Sequence, residues 1–206
     1  MKLIKPRFEI IGEHDWYDIL KHIEKIGRTC YQSHNSLCDF ARTINFVDSL
    51  IKRGHESILE FYDIEVRFIC DRAIANQIVR QRICSFVQSS TRYCNYSKDK
   101  FGGEITCIDK GYFTDYKHKT EWINTLRTCE EQYLKMIEQG YSPERARDVL
   151  PLTTATELVV KTNLREWRHI LKLRTAKECH PDLLDLTVPL LKELKELIPI
   201  IFDDIV

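Results

Sequence analysis

The sequence predicts an α+β fold: a single domain over residues 1–206 in which a small, mostly antiparallel sheet packs with several helices. Three observations lead there. Tyr62 to Cys70 alternates, with Ile64, Val66 and Phe68 on one face and Asp63, Glu65 and Arg67 on the other. That is the pattern of a half-buried strand in an antiparallel sheet. Several other stretches carry apolar residues at helical spacing. Finally, 206 residues are enough to bury one core, and no internal repeat or low-complexity linker divides them.

Taken in order, Leu3 to Ile11 reads as an opening strand, with Pro6 confining it to an edge or a bulge. Asp15 is placed to cap a helix from Trp16 to about Gly27, whose stripe is Trp16, Ile19, Leu20, Ile23 and Ile26. A second helix is expected from about Leu37 to Arg53, stopped by Gly54. After the strand at Tyr62–Cys70, Asp71 caps a helix that is expected to end with Arg80 and Arg82 in its last turn, where cations suit the negative helix terminus. The Ser/Gln-rich segment that follows reads as a loop. A short strand is expected at Glu104 to Ile108. A long helix follows from about Lys117 to Gln139, with Trp122, Leu126, Cys129, Tyr133, Met136 and Ile137 inward. Ser142-Pro143 starts another helix, which Pro151 ends at Leu150. Thr153 to Thr162 reads as a strand and Asn163 to Arg174 as a helix. The C-terminal segment is one helix or a pair. It is too apolar for a single exposed face and belongs in the core or at a subunit interface.

The chain has formal net charge +0, which argues against the broad basic field of a dedicated nucleic-acid binder. The longest apolar stretch, Leu183 to Phe202, is broken by Asp185, Lys192, Glu193, Lys195 and Glu196, so no membrane span is expected. The eight cysteines include no C-x-x-C pair, and the chain opens with no apolar leader run. Reduced thiols and a cytoplasmic location follow from the redox rule.

Against this neutral background one window stands out. From Arg72 to Lys98 there is no acidic residue, yet the window holds Arg72, Arg80, Arg82, Arg92 and Lys98 among serines, threonines and glutamines. Guanidinium forks with hydroxyls are the usual partners of phosphate oxygens. An anion site centred on Arg80 to Tyr93 is the outcome. Arg145/Arg147 and Arg165 to Arg174 are further cationic pieces, each of which by itself reads more readily as a solvated helix face. His55, after Gly54, is either a turn residue or an imidazole facing a ligand. Cys84 and Cys94 flank the arginines with no histidine nearby, and read as bystanders rather than nucleophiles. The histidines and cysteines never approach metal-ligand spacing, so no metal is expected. The seven glycines form neither a dinucleotide fingerprint nor a phosphate-binding loop.

Four blocks in this order resemble the flavin-dependent thymidylate synthases. Their signature is R-H-R, two residues, serine, one residue, N-E, one residue, serine, one residue, arginine. Here it reads Arg80-Gln81-Arg82, Ser85, Val87-Gln88, Ser90 and Arg92-Tyr93. Upstream, His55-Glu56-Ser57-Ile58-Leu59-Glu60-Phe61 is similar to the family's H-x-S/T-x-x-E-H. Downstream, Ala146-Arg147-Asp148-Val149-Leu150-Pro151 is similar to A-R-x-x-L-P. Asn163-Leu164-Arg165, with His169 and Leu173-Arg174, is similar to N-x-R and the L-x-L-R that follows. Gln81 replaces the motif's histidine, Val87-Gln88 its Asn-Glu pair and Phe61 a further histidine. Cys179-His180-Pro181-Asp182 departs from the A-Q-x-E-I run.

The resemblance implies a homotetramer that binds FAD and converts dUMP to dTMP, with 5,10-methylenetetrahydrofolate as carbon donor and NADPH as reductant. It implies that Gln77, Arg80, Gln88, Ser89, Ser90, Thr91, Arg92, Arg147 and Arg174 hold dUMP. Ser57, Arg80, Gln81, Arg82, Gln88, Asn163, Leu164, Arg165 and His169 would line FAD, with His55 and Tyr93 near flavin and folate. Arg174 would be catalytic, polarising the uracil. Two other readings remain. One keeps the fold and flavin but changes the pyrimidine nucleotide or the one-carbon group. The other is a non-catalytic nucleotide- or RNA-binding protein.

Overall fold

A computed structural model describes residues 1–33 and 39–206. The expected start of the second helix at Leu37, and Cys38, lie outside the described residues. The chain forms two compact units, each built from several segments. The first comprises Met1–Arg7, Arg67–Arg80 and Phe86–Val159; the second comprises Phe8–Val66, Gln81–Ser85 and Val160–Val206.

The architecture is α+β. Among the described residues the strands are β1 (Lys2–Ile4), β2 (Arg7–Ile11), β3 (Asp63–Asp71), β4 (Ser85–Gln88), β5 (Thr106–Ile108) and β6 (Ala155–Asn163). The helices are α1 (Trp16–Gly27), α2 (Phe40–Lys52), α3 (Arg72–Ile78), α4 (Tyr116–Glu138), α5 (Pro143–Ala146), α6 (Leu164–Arg174) and α7 (Pro181–Leu197). Where one sheet is expected there are two small ones, mostly antiparallel: the pair β1–β5, itself parallel, and β2–β3–β6–β4. The single opening strand divides at Pro6 because proline has no N–H to give the ladder.

In the first unit, Tyr96, Ile105, Cys107, Leu126, Tyr133 and Ala146 form a buried cluster, with Trp122, Met136 and Ile137 of α4 packed against it. Glu130 also faces inward, where it accepts the Ile105 N–H at 2.9 Å. A buried carboxylate is tolerated because it is bonded. Helix α5 is shorter than expected and gives way to a 3₁₀ turn at Arg147–Val149.

In the second unit Asp15 caps α1, accepting from the N–H groups of Tyr17 and Asp18. Helices α1 and α2 approach closely because Gly27 has no side chain: a Cβ there would lie 2.9 Å from Phe46 Cε1. Asn163 caps α6, and Trp167 Nε1 donates to Ile64 O at 3.0 Å. The C-terminal segment forms one helix, α7, with Pro189 inside it. Its Leu183, Leu186, Leu190 and Leu194 are buried, as are Ile198, Ile201 and Phe202 after it.

Two expectations are corrected around the arginine window. Helix α3 stops at Ile78, so Arg80 and Arg82 lie beyond it and not in a cationic last turn. The chain turns instead, with Ile83 in the left-handed region at φ 59. For a β-branched side chain this is strained, and Thr162 Oγ1 holds the turn by donating to Ile83 O at 2.8 Å. Ser85–Gln88, expected as loop, is strand β4, beside β6 in the sheet. Phe86 and Val87 favour a strand, but two such residues among Ser, Gln and Cys carry little local signal, and it is the pairing with β6 that decides.

Candidate functional site

Apart from Arg174, the residues expected to meet a nucleotide lie in the first unit, and they divide by how their polar atoms are used. Gln88 Nε2 donates to Thr156 Oγ1 at 3.2 Å, and Ser89 Oγ lies 2.9 Å from the same hydroxyl. Ser89 Oγ also accepts from Glu157 N–H at 3.2 Å, while Ser89 N–H donates to Glu157 O at 2.9 Å. The Ser89 carbonyl accepts from Arg72 Nη2 at 3.1 Å. Ser89 is therefore engaged on every side and fixes the start of the loop.

Beyond Ser89 the loop coils tightly: Ser90 O accepts from both Tyr93 N–H and Cys94 N–H, and Ser90 Oγ accepts from Arg92 N–H at 3.3 Å. Thr91 is buried, and its hydroxyl accepts from Arg147 Nη1 at 3.5 Å. Arg92 Nε pairs with Glu144 Oε1 at 3.0 Å, with both side chains about half exposed. Its guanidinium also lies over the Tyr93 ring at 5.6 Å. The acid-free window thus borrows one carboxylate from α5. An exposed pair of this kind contributes about 0–1 kcal/mol and gives way readily to a stronger anion. Gln77 is half-buried on α3, and Arg80 is exposed after it.

Apart from Arg80 and Gln88, the residues expected to line a flavin lie in the second unit. Asn163, Arg165 and His169 line one cleft of about 560 Å³, together with Lys172, Glu56 and Glu60. Arg165 Nη1 pairs with Glu60 Oε1 at 2.5 Å, and both side chains are about half exposed. Arg168, at the cleft wall, is different: only 2% exposed, it donates to Glu56 Oε1 from Nε and Nη2 at 3.2 and 3.0 Å. It also donates to Asp204 from Nη1 and Nη2 at 2.6 and 2.8 Å, and to Ile201 O. That guanidinium holds the Asp204 carboxyl below its usual range. Burial pushes the neighbouring Glu166 carboxyl up, against the opposing pull of His169.

Leu164 is set apart from its neighbours. Its side chain is fully buried and its N–H donates to Tyr62 O at 3.0 Å, so it serves the core of the unit and presents no side chain to a ligand. Ser57 and His55 are exposed and line a second cleft of about 320 Å³ with Tyr31, which shares Glu56 and Arg165 with the first. Arg82 is exposed. Gln81 and Arg174 meet directly: with its oxygen turned to the guanidinium, the Gln81 amide accepts from Nε at 2.7 Å and from Nη2 at 2.6 Å. Burial raises the Cys84 thiol, which disfavours the thiolate a nucleophile needs. Among the described residues no three His, Cys, Asp or Glu side chains gather as metal ligands would, and no helix is long and apolar enough to cross a membrane.

The sequence reading missed Thr156, Glu157 and Glu144, and named Arg72 only as one cation of the window, not as a partner of the Ser89 carbonyl. Thr156 lay in a stretch recognised only as threonine-rich, and its role as the shared partner of Gln88 and Ser89 depends on β4 being a strand. Glu144 carries no local signal at all.

The family model described as thymidylate synthase complementing protein matches residues 14–200. A flavin-dependent thymidylate synthase of Geobacter sulfurreducens is 30% identical over 165 residues, covering 77% of this chain and 68% of that protein. One from Pyrococcus horikoshii is 35% identical over 159 residues, covering 74% and 64%. The chain spans less than two thirds of the length of that archaeal relative. One from Corynebacterium aurimucosum is 28% identical over 201 residues, covering 88% and 78%. The crystal structure of the UMP/dUMP methylase PolB from Streptomyces cacaoi, bound with 5-Br dUMP, superposes with a TM-score of 0.78. It is 17% identical, covers 98% of this chain and 96% of that one, and so speaks for the fold alone.

Proposed function

The chain belongs to the thymidylate synthase complementing protein family, and on that premise we propose that it is a flavin-dependent thymidylate synthase converting dUMP to dTMP. The carbon comes from 5,10-methylenetetrahydrofolate. Turning a methylene into a methyl takes two electrons, which NADPH supplies. FAD, when bound, carries the hydride chemistry, and the protein orients it.

The observation that carries this reading is the Arg147–Thr91 contact at 3.5 Å. It joins two blocks, far apart in sequence, that the resemblance assigns to one nucleotide. Arg92 exchanges Glu144 for the dUMP phosphate, Arg147 and the Ser90 hydroxyl add donors, and Gln88 and Ser89, tied to Thr156, fix the loop. Arg80 and Gln77 complete the nucleotide set.

The residues of the second unit fit a flavin. Their cleft of about 560 Å³ is in the range of ligand pockets. Arg165, Lys172 and His169 supply cationic or hydrogen-bonding groups for a pyrophosphate, and Arg165 exchanges a half-exposed partner, Glu60, and a longer contact to Glu56 at 4.0 Å. Asn163, Ser57, Gln81 and Arg82 add polar contacts, while His55 and Tyr93 serve the flavin and folate. Arg174 is the fixed cation that stabilises the negative charge developing on the uracil as the ring is attacked. Exposed apolar side chains support self-association as a homotetramer: Ile83, Val87 and Tyr93 are 78%, 72% and 79% exposed.

A second reading, the same chemistry on another pyrimidine nucleotide, is favoured by one observation. Gln88, neutral where the family has a carboxylate, is bound to Thr156. Incubation with FAD, NADPH and the folate, with dUMP, UMP or dCMP in turn, separates the two by mass spectrometry. Methylated product from dUMP is expected. Product from UMP or dCMP and none from dUMP would transfer the assignment to the second reading. Arg174→Ala should lose on the order of 10²–10³ in turnover; wild-type turnover in that variant would remove the role given to Arg174.

A further inference from the structure

We propose that Gln81 is a positioning residue: its amide oxygen locks the Arg174 guanidinium through one edge and so fixes the direction in which the other edge points. The inference rests on the reading of Arg174 as the cation that faces the uracil.

The geometry is specific. Arg174 Nε and Nη2 lie 2.7 and 2.6 Å from the Gln81 amide oxygen. With the amide turned the other way an NH₂ group would face two N–H donors at these distances, which is repulsive, so the acceptor is assigned by chemistry. A guanidinium has five N–H groups in a plane. Two are used by Gln81, and among the described residues the Nη1–Nη2 edge is left as one fork. The backbone is pinned as well, because Arg174 O accepts from Thr187 Oγ1 at 2.6 Å. Gln81 sits in the turn held by Thr162 at Ile83 O. Arg174 is therefore fixed at its carbonyl and at its head group, both within the second unit.

The identity of residue 81 matters for pH. A carbonyl oxygen has two lone pairs and accepts two hydrogen bonds at any pH near neutrality. A neutral imidazole offers one acceptor, and a protonated one offers none and repels the guanidinium. With glutamine at this position, residue 81 itself gives Arg174 no cause to reorient between about pH 5 and 8.

The test reads Arg174 itself. Modification by phenylglyoxal is followed by peptide mass spectrometry and normalised to exposed Arg145 in the same sample. Gln81→Ala should react on the order of tenfold faster than wild type, having lost two hydrogen bonds to a charged group. Gln81→Glu, which keeps the acceptor, should be as slow as wild type. Gln81→His should be slow above and fast below its imidazole pKa of about 6.5, and serves as the second variant should the alanine protein fail to fold. In dUMP assays Gln81→Ala should lower kcat more than it raises KM. Equal Arg174 reactivity in wild type, Gln81→Ala and Gln81→His overturns the inference whatever the enzyme does. Fast Arg174 modification in Gln81→Ala, with no dUMP turnover by the wild type, upholds the clamp and overturns the functional reading instead.

Discussion

In the first unit the cations expected to meet substrate stand among hydroxyls, and one exposed carboxylate, Glu144, offsets Arg92. In the second unit the cleft cations stand among acids: Glu60 beside Arg165, Glu56 and Asp204 around Arg168. Burial then separates cations that can change partners from cations that cannot. Arg92 and Arg165 are about half exposed, and their ion pairs are weak and exchangeable. Arg168 is 2% exposed, so its pairs are structural. Charge alone, read from sequence, treats the three alike.

The largest effect should come from breaking the buried member of that set. Arg168→Ala leaves Glu56 only Arg165 at 4.0 Å and Asp204 only Lys172 at 3.6 Å, removes the donor to Ile201 O, and should cost about 3 kcal/mol of stability in denaturant unfolding. Arg165→Ala should change stability by less than about 1 kcal/mol while weakening FAD binding. Equal losses in the two variants would erase the distinction drawn from burial. In the first unit, Thr156→Val removes the shared partner of Gln88 and Ser89. It should destabilise by about 1–3 kcal/mol and weaken dUMP binding, measured by calorimetry. Unchanged dUMP affinity would mean that the loop is held by Glu157 and Arg72 alone.

A smaller effect concerns acid. The Asp204 carboxyl is lowered by its hydrogen bond from Arg168. Its contribution to stability is therefore present above the ordinary carboxylate pKa of about 3.9 and is lost as pH falls through the lower folded value. Wild type should lose more stability than Asp204→Asn as pH falls from about 5 to below 3; parallel pH profiles for the two proteins would show that the pair carries no such linkage. The smallest effect is at Ile83. Glycine there relieves the left-handed backbone but gives up chain entropy, so Ile83→Gly should leave Tm nearly unchanged. A large drop would show that the turn depends on the isoleucine side chain.

Much of the fold was legible because periodicity and caps are local signals. Asp15 and Asp71 cap the helices they precede, and Ile64, Val66 and Phe68 are buried as their alternation requires. What was not legible depended on distant partners. Ser85–Gln88 is a strand only because β6 lies beside it, and α3 ends early because the chain must turn at Ile83, held there by Thr162. The same limit applied to the site. The motif residues could be named in order, yet nothing local told that Leu164 is buried, that Ser89 is engaged by β6, or that Gln81 clasps Arg174.

The central claim, that this chain uses a flavin to methylate dUMP, is tested most directly by the visible spectrum of the purified protein with added FAD. The account predicts a bound-flavin spectrum that bleaches with NADPH, and recovery of the oxidised spectrum when dUMP and methylenetetrahydrofolate are then supplied without oxygen. A protein that binds no FAD, or whose reduced flavin is unaffected by both substrates together, would contradict it.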